Sequence, residues 1–219
     1  MQTRGMLYEE MNKIRRELML MASRVEEDLG KALAILRSGG EELVEEVKAS
    51  GKIVDALQFK IEDMALVLIA TQQPVARDLR ELIMVFKFTS SLERIGDYGI
   101  HLVKAAARFS VKPPFRSIER IERMAETGQE MLKAAISAYL AQDAQAARIT
   151  AFLDEEIDRE HKALTEEVLE LMREKPKLIK SASRLLKLSG FMERLGDHVT
   201  NICEGIIYIV EGRHEELND

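Results

Sequence analysis

Apolar residues recur every three or four positions along nearly the whole chain, and no segment alternates apolar and polar side chains as a half-buried strand would. This period predicts helices over residues 7–37, 41–70, 75–109, 115–141, 143–173 and 178–211. Breaks fall where stop signals stand: Ser38-Gly39-Gly40, Gln72-Gln73-Pro74, Lys112-Pro113-Pro114 and Pro176. All four prolines lie at such breaks, where their missing N–H costs nothing.

Three helices, a diproline and three more helices describe a duplicated unit. The third and sixth helices carry the same sequence word. Glu93-Arg94-Ile95-Gly96-Asp97 returns about one hundred positions later as Glu193-Arg194-Leu195-Gly196-Asp197. Val54-Asp55 on the second helix likewise returns as Ile157-Asp158 on the fifth. The expected fold class is all-α, two tandem three-helix bundles related by internal duplication. The expected boundaries are 1–111 and 115–212, with a polar tail over 213–219. Each half is long enough for its own core.

The repeated word is chemically unusual. Positions i and i+4 are neighbours on a helix, so Glu93 and Asp97, and again Glu193 and Asp197, set two carboxylates side by side where they repel. They fall at or beside an apolar stripe, marked by Leu82, Phe86, Ile100 and Val103 in the first half and by Leu185, Leu188, Ile202 and Ile206 in the second. The middle helix of the second half adds Asp154 and Asp158, again at i and i+4. In the first half the matching positions are Gly51 and Asp55, one acid short. Antiparallel packing would bring each middle helix against its motif helix. Clustered oxygen donors suit hard or borderline cations such as Mg, Mn, Ca or Fe. His101, one turn beyond Asp97, would add an imidazole, while Asn201 offers only an amide at the equivalent place.

Solvated ion pairing is the plainer alternative, since 38 acidic residues will produce isolated acidic pairs by chance. A pair repeated at equivalent places, each time around an Arg-x-Gly, favours a cation or a polar interface. Glu211-Gly-Arg-His214 spells a metal-ligand spacing but follows a helix stop, and a di-iron site of the ferritin type would need two such pairs on facing helices. No Gly-rich phosphate loop and no nucleophile–histidine set can be assembled, so no enzyme is expected.

Composition narrows the classes further. The net charge of −6, the absence of Trp and the 5% aromatic content argue against a nucleic-acid binder. Cys203 is the only cysteine, which excludes an intramolecular disulfide and fits a reducing cytoplasm. No run approaches the ~20 apolar residues that span a bilayer.

Taken together, Gln72–Arg80 (QQPVARDLR), Leu92–Asp97 (LERIGD) and Met192–Gly212 (MERLGDHVTNICEGIIYIVEG) resemble the PhoU family of bacterial phosphate-transport accessory proteins. The likeness spans nearly the whole chain. It implies paired three-helix bundles and multinuclear metal clusters on the Glu/Asp-x-x-x-Asp motifs, as in some members. Carried over by position, the implied ligands are Glu93 and Asp97 in the first half, with Asp55 standing where the family often has Asn or Asp, and Glu193, Asp197, Asp154 and Asp158 in the second. Gly51 departs from the pattern, and so does His101, which stands where the family has Asn. The metal is left open among iron, zinc, nickel and magnesium. The likeness also implies a cytoplasmic, often homodimeric regulator that represses the phosphate-starvation response, linking the Pst phosphate ABC transporter to a PhoR-type sensor kinase. A helical-bundle metalloenzyme and a metal-free acidic adaptor are the competing expectations.

Overall fold

The computed structural model describes residues 2–38, 41–106 and 115–218. They form seven α-helices, and no strand occurs among the described residues. The first repeat holds α1 (Gln2–Ser38), α2 (Glu41–Gln72) and α3 (Ala76–Ala106). The second holds α4 (Phe115–Ala141), α5 (Ala144–Ala151), α6 (Asp154–Glu174) and α7 (Ile179–Glu211), with a 3₁₀ turn at Pro176–Leu178. The expected glycine stop at 39–40, the diproline linker and the last residues of the third predicted helix lie outside the described residues.

The apolar period builds the core directly. On α1, Met11, Ile14, Leu18, Met21, Val25, Leu29 and Ala32 are buried on one stripe. On α4, Ile121, Met124, Ala125, Leu132 and Ala135 do the same. Within each repeat the three helical layers pack on one another, and α3 also runs along α7, so the two motif helices form the spine of the molecule. Phe88 of α3 fills that spine, meeting Tyr139 edge to face with ring centroids 5.5 Å apart. A polar knot closes one end. Arg15 of α1 grips buried Glu81 of α3 with two hydrogen bonds of 2.6 and 2.7 Å, and Tyr139 of α4 donates to the same carboxylate at 2.8 Å. Gly212 ends α7 in the left-handed conformation (φ 75°) that glycine adopts without strain, its N–H returning to Tyr208 O.

One expected element is split. The single helix predicted over 143–173 is two helices, broken at Phe152-Leu153. No proline or glycine marks the break, and the buried period runs on through it. Asp143 caps the far end of α5, accepting from Ala146 N at 3.0 Å. At the break itself Phe152 N–H bonds Arg148 O and Leu153 N–H bonds Thr150 O. Asp154, Glu155 and Glu156 occupy the first turn of α6, where the helix dipole favours anions. The break therefore seats Asp154 at a helix N-terminus, while Phe152 stands 67% exposed.

Candidate metal centre

The two motif words fold alike. Ile95 and Gly96, like Leu195 and Gly196, are buried; Arg94 and Arg194 are exposed; Glu93, Asp97, Glu193 and Asp197 are half-buried. What surrounds them differs.

In the second repeat α6 brings Asp154 and Asp158 against α7. Asp154 is 8% exposed and rests on Gly196, where a Cβ would collide with its carboxylate. Thr200 Oγ1 donates to Asp154 Oδ2 at 3.0 Å, but Oδ1 has no hydrogen-bond partner. Burial pushes the Asp154 pKa up to about 7, with Asp158, Asp197 and Glu193 adding repulsion that the Thr200 hydrogen bond only partly offsets. Glu193 and Asp197 are raised as well, first by burial and then by neighbouring carboxylates. Asp154, Asp158 and Asp197 line a cavity of about 310 Å³, roofed by Glu216, Leu217 and Asn218 of the tail. The tail is held there by Arg148 of α5, which binds Glu211 and Glu215 at 2.7–2.9 Å, and by Leu217 N–H donating to Glu204 at 2.8 Å.

In the first repeat α2 is unbroken and brings Asp55 towards Glu93. Burial raises the Glu93 pKa, and Asp97 and Asp55 add to the rise against Arg94. The cavity here is small, about 10 Å³, and is lined by Asp28, Gly51, Asp55, Glu93, Gly96 and Asp97 among others. Where Asp154 meets Thr200, this repeat has Gly51 against Ile100: a Cβ at 51 would lie 2.7 Å from Ile100 Cδ1. A polar pair has become an apolar one.

His101 does not line the cavity. Its ring stacks on Phe191 of α7, centroids 4.6 Å apart, in an aromatic seam that Tyr98 and His198 continue. Burial lowers its pKa despite the pull of Asp97. A single-helix reading cannot see a partner across the spine. Asp28 is the residue that sequence reasoning missed. It belongs to no motif, but it interrupts the apolar stripe Met21, Val25, Leu29, Ala32, and that interruption is the signal that could have found it. His161 turns inward as well, its Nδ1 2.7 Å from the buried Ser189 hydroxyl.

Chemically, each repeat gathers several carboxylates that nearby cations offset only in part: Arg94 lies 3.5 Å from Glu93, and Arg194 and His161 act on the second group. Among the described residues no three His, Cys, Asp or Glu side chains already converge as a finished chelate. Asp154 leaves Oδ1 without a hydrogen-bond partner, and burial, with repulsion from neighbouring acids behind it, raises Glu93, Asp154, Glu193 and Asp197; carboxylate oxygens in such a setting suit hard divalent ions. No helix among the described residues is long and apolar enough to cross a membrane.

Comparison with known proteins gives this duplicated arrangement a lineage. The family model described as the PhoU domain matches twice, over residues 18–106 and 121–206, once per repeat. The chain is 35% identical over 210 residues to the phosphate-specific transport system accessory protein PhoU homolog of Caulobacter vibrioides, covering 95% of this chain and 90% of the relative. It is 29% identical over 218 residues to that of Clostridium acetobutylicum, covering 99% and 100%. The crystal structure of PhoU from Pseudomonas aeruginosa superposes with a TM-score of 0.89 at 28% identity, covering 94% of this chain and 99% of that one. PhoU from Streptococcus pneumoniae, titled a phosphate transport system regulatory protein, gives 0.87 at 27%, covering 96% and 99%. With both repeats matched, and relatives aligned end to end, the chain belongs to the PhoU family.

Proposed function

We propose that this protein is an accessory regulator of a phosphate-specific transport system. The observation that carries the reading is the alignment with relatives bearing that role in their names, over 99% of this chain and 100% of one relative and over 95% and 90% for another. In the finer reading it acts in the cytoplasm, as a homodimer, and keeps phosphate-uptake genes off when phosphate is plentiful. It does so by coupling a Pst-type ABC transporter to a PhoR-type sensor kinase. The role is non-enzymatic. Divalent or ferric ions bound by Glu193, Asp197, Asp154 and Asp158, and by Glu93, Asp97 and Asp55, neutralise acids that otherwise repel and set the packing of the middle helices on the spine.

Deleting the gene should raise a phosphate-starvation reporter in high phosphate, and the wild-type gene should restore repression. A reporter indifferent to the deletion would remove the regulatory reading. The metal component has its own test. Chelation should lower the melting temperature of the purified protein and re-addition of metal should restore it; unchanged melting with no metal by elemental analysis would remove that component. The lack of a finished chelate among the described residues favours one second reading, an acidic adaptor that binds a basic partner directly. Partner binding that weakens steeply with salt and ignores chelators would select it.

A further inference from the structure

In the second repeat the buried acid of the middle helix is Asp154, held by Thr200. In the first repeat both members of that pair are gone, replaced by Gly51 and Ile100. The first cavity nevertheless has a buried acid, and it arrives from another helix. Asp28 of α1 is 3% exposed, lines the cavity beside Gly51, Asp55, Glu93 and Asp97, and leaves Oδ1 without a hydrogen-bond partner.

Packing does not require an acid there. Its neighbours on the α1 stripe are Val25, Leu29 and Ala32, and Met131 is fully buried on the matching stretch of α4. The surroundings of Asp28 offset its burial only in part: the Ser50 hydroxyl and the charges of Arg24 and Lys31 favour the carboxylate, yet burial outweighs them, and the Lys31 ammonium itself is paired with Glu27 at 2.8 Å and Glu46 at 3.2 Å. A buried carboxylate with an idle oxygen opposes folding unless something positive meets it. It is tolerated where a ligand supplies that charge.

We propose that Asp28 replaces the carboxylate missing at position 51, so that the first repeat binds one divalent cation between α1, α2 and α3, with Asp28, Asp55, Glu93 and Asp97 as oxygen donors. The proposal rests on the cation-binding part of the function proposed above. A cavity of about 10 Å³ has room for one water-sized body, which is why a single ion is proposed. The acid has moved from the middle helix to the first while the motif helix has stayed the same.

The test is Mn²⁺ titration of the full chain, followed by calorimetry and paramagnetic resonance, with thermal melting in chelator on the same samples. Asp154→Asn with Asp197→Asn serves as the background that isolates the first repeat. Adding Asp28→Asn should weaken Mn²⁺ binding at least tenfold and remove one ion from the stoichiometry. In chelator the Asp28→Asn protein should melt above its parent, since a buried charge has gone. Gly51→Asp with Ile100→Thr, added to Asp28→Asn, should restore the ion by rebuilding the second repeat's pair in the first. Unaltered Mn²⁺ binding by Asp28→Asn, a metal-free melting temperature below the parent's, or a folded triple variant that fails to recover the ion each overturns the assignment of Asp28 alone. A wild-type chain that takes up no Mn²⁺ in either repeat overturns the cation-binding reading itself.

Discussion

The two acidic faces share one sequence word and one burial pattern, yet they enclose very different spaces. The second is about 310 Å³ and roofed by the tail; the first is about 10 Å³ and closed by helices. The motif helix does not set this difference, because Glu93 to Asp97 and Glu193 to Asp197 present the same buried and half-buried positions. The neighbouring helices do. A broken middle helix delivers Asp154 from its own N-terminus onto Gly196, whereas an unbroken one passes the equivalent place with Gly51. Duplication thus fixed where the acids of the spine stand, and divergence in the flanking helices changed what they enclose.

The largest expected effect separates the repeats through protonation. Asp154 has a native pKa near 7, against an unfolded value near 3.8. Between these values the native state holds a proton that the unfolded chain has released, so stability is fully present below about pH 4 and falls as pH rises to about 7. In chelator, urea unfolding should lose up to about 4 kcal/mol across that window, and Asp154→Asn should flatten the slope. A wild-type protein with no such slope would show that the second face is not strained by its acids.

Next in size is the glycine of the motif. Gly196→Ala places a methyl group against the Asp154 carboxylate and should cost about 2 kcal/mol. Gly96→Ala meets only Val25 Cγ2 at 3.6 Å and Val54 Cγ1 at 3.9 Å, ordinary contact distances, and should be neutral or stabilising by about 1 kcal/mol through helix propensity. Equal effects in thermal melting would abolish the distinction between the faces. The smallest change in global stability belongs to the tail. Arg148→Ala should leave unfolding nearly unchanged while amide exchange speeds up over residues 211–218 and remains as before in α2 and α3. Protection that persists over the tail would mean that Arg148 does not hold it.

The helical architecture could be read from the chain because period, prolines and glycines agree over long segments. The acids of the spine could be read because duplication repeats them. The split at Phe152-Leu153 could not, since no breaker residue marks it and only the three acids that open α6 accompany it. The fate of His101 could not either, because Phe191 lies ninety positions away and meets it only once α3 and α7 run side by side. Asp28 lay in view as a charge within an apolar stripe, but its meaning depends on Gly51, a residue on another helix that lacks what Asp28 supplies.

The tail anchored by Arg148 has a practical consequence for anyone who labels this molecule. A bulky label attached at Asn218 would sit at the mouth of the second repeat's cavity and leave the first, lined from α1, α2 and α3, untouched. Ion counts taken on such a labelled molecule would report the first repeat alone, and would fall short of those taken on an unlabelled one for that reason.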